Sequence, residues 1–404
     1  MTDLSPDNRR MALALFLWAS GEGMFIYLQP IYIEQLGADP VQIGTVLSLA
    51  GFSMAVSFLP GGILADRISR KTLMLCGWGM GIVAALMMAA ARDWRAFIPG
   101  VMLYTFSAFC VPAISAAIAD AAGDVPLERV LTLVYAGFWA GNIISPSLGG
   151  WLTRLIGMRG VYVVAAACYS VSTLVILSIK ARPVRARMGV WQWPPTAVLR
   201  SGATLGLVIF AIFVAMYVGQ PLAANFMHDT AGWPVERIGL LGSLHALGVT
   251  LLSPMLGRWS ARTSSKLSGL WAAQSLVWGS FGLLLLGAQR LPGLVPVAFF
   301  MRGGYGACRN LTDANIAGRF SAENRGAAFG LAETAMASAQ MAAPYIAGWL
   351  YAAQPAAPLG AGLVLIPATM LLTPILRRPP APIGQAQPQP GAAYSSEAYH
   401  ESNP

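Results

Sequence analysis

The sequence predicts an all-α integral membrane protein with twelve transmembrane helices arranged as two pseudo-symmetric six-helix bundles. Three observations point there: a composition too apolar and too poor in charge for water, a regular alternation of span-length apolar runs with short polar breakers, and an internal repeat. Of 404 residues, 56% are hydrophobic and 11% charged, whereas soluble globular chains carry about 25% charged residues. About 20 apolar residues cross the ~30 Å hydrocarbon core as a helix. Little chain is left over for a soluble domain.

In order, the first half holds apolar runs at 11–33, 42–64, 72–91, 97–118, 130–153 and 161–179. The second half holds 203–225, 235–256, 267–287, 294–316, 327–350 and 359–376. Clusters of Arg, Lys, Asp, Pro and Gly separate them. Gly and Pro inside a run are tolerated because neighbouring helices satisfy the freed backbone groups. The longest internal polar connection, 180–201, carries Lys180, Arg182, Arg185, Arg187 and Arg200. It is expected to be a cytoplasmic loop dividing an N-terminal half, 1–179, from a C-terminal half, 202–378. Residues 379–404 are rich in Pro, Gln, Ala and Ser and cannot bury enough apolar surface to fold, so a disordered cytoplasmic tail is expected.

Lys and Arg set the orientation. With the N-terminus in the cytoplasm, 18 of the 26 basic residues fall on the cytoplasmic side, 6 fall opposite, and Arg302 and Arg309 lie within a span. Both termini are therefore expected inside. The polar start, Met1 to Arg10, runs into an apolar segment without a small-residue cleavage pattern, so no removable signal peptide is expected. The net charge of +9 sits in short loops and forms no long basic tract, which speaks against nucleic acid. Cys76, Cys110, Cys168 and Cys308 all fall in apolar runs and read as small buried hydrophobes.

The halves repeat in parallel. Tyr27, Gln29 and Pro30 are echoed by Tyr217, Gln220 and Pro221. IGTVLSL from Ile43 is echoed by IGLLGSL from Ile238, and Gly62, Arg67, Ser69 and Lys71 by Gly257, Arg262, Ser264 and Lys266, at an offset of 195. Pro146, Gly150 and Trp151 recur as Pro344, Gly348 and Trp349 at an offset of 198. Parallel repeats about an axis along the membrane normal place a binding site between the halves.

Between the second and third runs the chain reads GGILADRISRKTLML, Gly61 to Leu75. Asp66 stands just past a helix C-terminus, where the macrodipole repels an anion, and needs a positive partner such as Arg67 or Arg70. The small Gly61 and Gly62 permit close approach. This run resembles the signature loop of the major facilitator superfamily, in pattern at Gly62, Leu64, Ala65, Asp66, Arg67, Arg70 and Lys71, with Ser69 replacing the usual glycine. The resemblance implies that superfamily's fold, alternating access, and a latch of Gly62, Asp66, Arg67 and Arg70 holding the halves together on the cytoplasmic face in the outward-open state. The second-half copy has Ala261 in place of the aspartate. GNIISPSLGGW, Gly141 to Trp151, resembles the glycine and proline pattern of proton-linked exporters at Gly141, Pro146, Gly149 and Gly150, with Ser145 replacing a glycine. Physically it is a close-packing, kinked segment whether or not it marks an exporter. RGGYGAC, Arg302 to Cys308, resembles an arginine motif that the superfamily carries in span four, where this chain has Tyr104.

An ionised side chain at mid-membrane costs at least ~2.5 to 3.5 kcal/mol and needs a partner or a wet cavity. Glu22, His245, Arg302, Arg309 and Glu333 are in that position. At ~1.5 Å per residue, Glu22 and Arg302 lie at a common depth of ~17 Å and could pair. Arg309 and Glu333 could form a second pair nearer the cytoplasm. Arg302, Tyr305, Arg309 and Asp313 share one helical stripe, and Asp313 is expected to pair with Arg309. Glu22 shares its stripe with Trp18 and Gln29 and is the leading candidate for a proton or a cationic substrate. Glu333 and Arg302 are candidates with structural ion pairs as the alternative, and His245 is expected to be a satisfied neutral imidazole or a proton relay. Tyr27, Gln29, Tyr217, Gln220 and Tyr305 complete the proposed binding set. Trp18, Phe25, Phe213 and Met216 beside them would suit an amphiphilic ligand.

The resemblance thus implies a secondary active transporter, expected to be a proton-coupled exporter of an amphiphilic or drug-like compound. Uptake of a sugar or other nutrient is the alternative, and a non-transporting sensor or scaffold is the alternative of another class. No G-x-x-x-x-G-K-[ST], G-x-S-x-G or H-E-x-x-H occurs, so ATPase and hydrolase chemistry are disfavoured and no enzyme is expected. Neither a metal nor an organic cofactor is expected; the proton gradient would supply the energy. The expected partners are a small molecule and the lipid bilayer, with the monomer as the working unit in the inner cell membrane.

Overall fold

A computed structural model describes residues 4–65, 68–123, 125–180, 196–263, 267–319 and 322–377. Among these, all regular structure is helical. The N-terminal half contains α1 (Pro6–Ile26), α2 (Gln29–Gln35), α3 (Pro40–Ala65), α4 (Arg70–Ala90), α5 (Trp94–Phe106), α6 (Val111–Asp120) and α7 (Leu127–Leu177). The C-terminal half contains α8 (Thr196–Tyr217), α9 (Ala223–Asp229), α10 (Val235–Arg262), α11 (Ser268–Gln289), α12 (Leu294–Met301), α13 (Gly304–Arg319), α14 (Ala322–Ala353) and α15 (Ala357–Met370). Because α8 starts at Thr196, the last part of the expected 180–201 connection is helical. Residues 181–195 and the 379–404 tail lie outside the described residues.

Joined across their breaks, the described helices are consistent with the twelve crossing segments expected from the sequence, with four of them interrupted. Among the described residues six helical segments are long and apolar enough to cross, counting α5, the 3-10 turn after it and α6 as one, and α1 with α2 makes a seventh, bent by 47°. The break between α1 and α2 precedes Pro30, and Pro221 stands in the gap between α8 and α9. Proline lacks an N–H and clashes with the preceding turn, so the repeated Gln-Pro breaks the first span of each half. A 3-10 turn, Ser107–Cys110, divides α5 from α6 ahead of Pro112. Between α12 and α13 the cause is packing. A Cβ on Gly303 would overlap the backbone of Gly248 and Val249, and one on Gly304 would sit 2.7 Å from the Ala273 carbonyl oxygen. The 51-residue α7 holds two spans, which Gly157 separates at φ 68°, a left-handed conformation open to glycine.

Large apolar side chains such as Ile144, Leu174, Leu207, Val364 and Leu371 are exposed around the bundle. In water such a belt would aggregate; in a bilayer it is the lipid-facing surface. Polar order is kept for the interior and the helix ends. The Trp78 indole donates to Ser172 Oγ at 2.6 Å, and that hydroxyl donates to the Ala14 carbonyl at 2.7 Å, tying α4, α7 and α1 together. We expect Ser172→Ala to destabilise the protein by ~1 to 3 kcal/mol, because it strands a buried N–H; a thermal melt in detergent checks it, and an unchanged midpoint would contradict it. Lys71 Nζ caps the end of α7 through the carbonyls of Leu177 at 2.6 Å and Ile179 at 2.7 Å, a cation placed where the helix macrodipole is negative.

The two halves meet through the repeated residues. Gly239 on α10 packs against Pro146 and Gly150 on α7, and Gly44 on α3 packs in the same way against Pro344 and Gly348 on α14. Gly150 lies on Val235 and Glu236, as Gly348 lies on Pro40 and Val41. The sequence echoes are therefore the reciprocal contacts of a pseudo-two-fold interface, where one patch must fit its own copy. Ser147 N and Oγ add hydrogen bonds to Ser243 Oγ at 3.0 and 2.7 Å, Asn225 donates to Glu34 at 2.5 Å, and Arg154 pairs with Glu236 at 3.4 Å. These links lie on the face away from the chain ends, or near mid-depth. That face is sealed.

Candidate functional site

A cavity of about 660 Å³ lies between the halves below this seal. Its N-half wall includes Trp18, Glu22 and Tyr27 from α1 and the segment after it, Tyr104 from α5, and Tyr135 and Asn142 from α7. Its C-half wall includes Tyr217, Gln220, His245, Phe299, Arg302 and Gln340. Leu15, Ile114 and Tyr135 also line it, and Gly51 and His245 make contacts between the halves, to Gln340 and Met341 and to Tyr27.

Glu22 stands in an aromatic surround. Its carboxyl lies against the Tyr104 hydroxyl, which is positioned to donate to it. Trp18 stacks on Tyr169 with centroids 4.3 Å apart and on Tyr104 at 6.0 Å, and the Tyr169 hydroxyl donates to that of Tyr104 at 3.3 Å. Gly81 lets Trp18 in, since a Cβ there would collide with the indole. The arginine motif's place in span four is thus taken by a phenol facing a carboxyl.

Arg302 does not pair with Glu22. No ion pair between described residues joins them, so the pairing that equal depth left open is not made. Depth fixes height but not azimuth, and the two residues sit on opposite walls. The Arg302 guanidinium instead donates to the Gln220 carbonyl at 3.1 Å and lies over the Phe299 ring at 4.6 Å. Tyr27 and Tyr217 are the phenols beside it. The carbonyl it takes is in the gap between α8 and α9 that contains Pro221. His245 is in edge contact with Tyr27, centroids 5.6 Å apart, and its Nδ1 has no hydrogen-bond partner.

Seven of the nine expected binding residues line this cavity: Glu22, Tyr27, Gln29, Tyr217, Gln220, His245 and Arg302. Tyr305 and Glu333 do not. Tyr305 packs edge-on against Phe213 at 5.4 Å and accepts a hydrogen bond from Gln340 at 3.1 Å. Phe25, Phe213 and Met216 are likewise core residues rather than lining. Glu333 is held by Arg309 at 2.7 Å, the second pair read from the sequence, whereas Asp313 forms no ion pair with Arg309 and leaves Oδ1 unpartnered. Both members of the Arg309–Glu333 pair are over a third exposed, so the pair contributes at most ~1 kcal/mol. Glu333→Gln should accordingly shift the melting point by only a few degrees and leave transport measurable; loss of transport in a folded variant would bring Glu333 into the mechanism.

The packing motif has two tasks. Gly141 meets α1 at the Phe16 carbonyl, where a Cβ would lie 2.7 Å away, and Gly149 abuts Met24, while Pro146 and Gly150 face α10 of the other half. Of the latch residues, Asp66 and Arg67 lie outside the described residues, and Gly62 belongs to the last turns of α3. Arg70 pairs with Asp120 and donates to the Ala116 carbonyl at 2.9 Å, both within its own half. The sequence reading missed Trp78, Tyr104 as a partner of Glu22, Tyr169, Asn142 and Gln340. Their only local signal is a polar or aromatic residue inside an apolar run.

The sequence model of the Major Facilitator Superfamily matches residues 11–219 and again 205–398. The chain is 24% identical over 371 residues to the enterobactin exporter EntS of Citrobacter koseri, covering 74% of this chain and 89% of that one. It is 24% identical over 365 residues to the EntS of Shigella flexneri, with the same coverage. Among solved structures, a variant of the nucleoside transporter NupG superposes with a TM-score of 0.80 at 15% identity, covering 92% of this chain and 98% of that one. A POT family transporter in complex with 5-aminolevulinic acid gives 0.70 at 14% identity, covering 91% and 95%. With two six-span halves, a cavity between them and family matches that span both, this chain belongs to the major facilitator superfamily and is a multi-pass membrane transporter of small molecules.

Proposed function

We propose that the protein is a proton-coupled exporter of an amphiphilic small molecule in the cell membrane, working as a monomer with both termini in the cytoplasm. In that orientation the sealed face is external and the structure is the inward-open state, ready to take substrate from the cytoplasm. The observation that carries the reading is Glu22, a carboxyl with no ion-pair partner among the described residues, on the wall of a cavity sealed from the far side. Such a group can exchange its proton with whichever side the cavity faces, which is what coupling requires. The exporters named EntS, similar over most of the chain, favour outward movement. The arrangement of Arg70 within its own half agrees with a latch disengaged in this state.

The test uses purified protein in liposomes with a pH-sensitive dye inside and a panel of amphiphilic aromatic compounds first scored by thermal stabilisation. Compounds that bind should drive proton flux against their own movement. Binding without any substrate-dependent proton flux would replace the transporter reading with that of a sensor, and flux in the same direction as substrate would make it an importer.

A further inference from the structure

We propose that the Arg302 wall of the cavity is an oxyanion subsite, so that the transported molecule carries an anionic oxygen group, a carboxylate or ionised phenol, on an aromatic body. This rests on the reading of the cavity as the transport site and adds the charge of its cargo. Arg302 is 5% exposed. A guanidinium has five N–H donors; among the described residues this one makes a single hydrogen bond, to the Gln220 carbonyl, and its Nε has no partner. None of the ion pairs between described residues includes it. The groups around it are the Phe299 ring, the Tyr27 and Tyr217 phenols and the His245 imidazole, none of them an anion.

A lone cation in the membrane interior is costly unless something compensates it. It cannot escape by reaching for the headgroups, because Gly303 and Gly248 lock the adjoining backbone against α10. If its task were only to satisfy the carbonyl in the gap before α9, a neutral amide donor would serve without that cost. The partner it lacks is an anion. A flat guanidinium matches a carboxylate with two parallel hydrogen bonds. Across the cavity, Trp18 and Tyr104 supply aromatic faces for the rest of the molecule. The one lining carboxyl, Glu22, is on that far wall against Tyr104 and leaves Arg302 free for the ligand.

The experiment is competition binding to the detergent-purified full chain, with tritiated 2-naphthoate displaced by unlabelled 2-naphthoate, 2-naphthamide or 2-naphthylmethylamine. The acid should bind at least tenfold more tightly than the amide or the amine. Arg302→Gln should erase that preference, and Arg302→Lys should keep part of it. Without ligand, Arg302→Gln should melt at or above the parent temperature, since it removes an uncompensated charge. Equal affinity for the three probes, no saturable binding of the acid up to its solubility limit, or a preference that survives Arg302→Gln in a folded protein would each overturn the proposal. Because binding in detergent needs no turnover, lost charge preference with intact proton flux sinks only the anion assignment. Intact preference without flux sinks only the transport reading.

Discussion

Glu22→Gln should reduce pH-gradient-driven transport to the background of empty liposomes while leaving the protein folded and able to bind ligand. The amide keeps the size of the carboxyl and an oxygen that accepts from Tyr104, but it has no proton to exchange. Since Glu22 makes no ion pair with Arg302, the substitution strands no charge, and the thermal midpoint should stay within a few degrees of the parent. The same geometry makes the stability effects of Glu22→Gln and Arg302→Gln additive within ~0.5 kcal/mol, as for sites that share no contact. Gradient-driven flux at the parent rate would remove Glu22 from coupling. A coupling energy of ~1 kcal/mol or more between the two substitutions would restore the ion pair that the structure separates.

Gly239→Val should trap the transporter open on the face that this structure seals. A Cβ at Gly239 would lie 2.9 Å from the Gly150 Cα and closer still to the Pro146 carbonyl, and both are backbone that cannot swing aside. Overpacking of this kind costs ~1 to 3 kcal/mol, paid only in the sealed state, which shifts the conformational equilibrium by about 5- to 150-fold. Transport should fall by a similar factor, because both conformations must be visited in each cycle. A cysteine placed at Ile26, on the cavity wall, reports the shift: a membrane-impermeant maleimide added outside cells should label it faster in the Gly239→Val background. Gly44→Val, at the pseudo-symmetric contact, should do the same. Labelling and transport at parent rates in both variants would mean that the interface tolerates the extra volume and does not control closure.

The sequence by itself determined the solvent, the helical crossings and the two-fold plan. Span-length apolar runs admit no other satisfied backbone in hydrocarbon than a helix, so those features are local. The repeat went further than a domain count. Gly44 with Gly239, Pro146 with Pro344 and Gly150 with Gly348 can be matched by eye along the chain, and they prove to be the residues on which the halves touch. The Gln-Pro echo at Gln29 and Gln220 likewise marks where the first span of each half breaks. The Arg309–Glu333 pair was legible from depth alone, because both residues belong to one half and to neighbouring spans. Only the tertiary structure decided the rest. Whether Glu22 meets Arg302 depends on the rotation of each helix about its axis and on breaks such as that at Arg302 and Gly303, neither of which residue spacing records. Tyr104 became the partner of Glu22, and Arg302 that of the Gln220 carbonyl, because packing chose the azimuth. Sequence gives the height of a charge in the membrane; the packed fold gives the direction it faces.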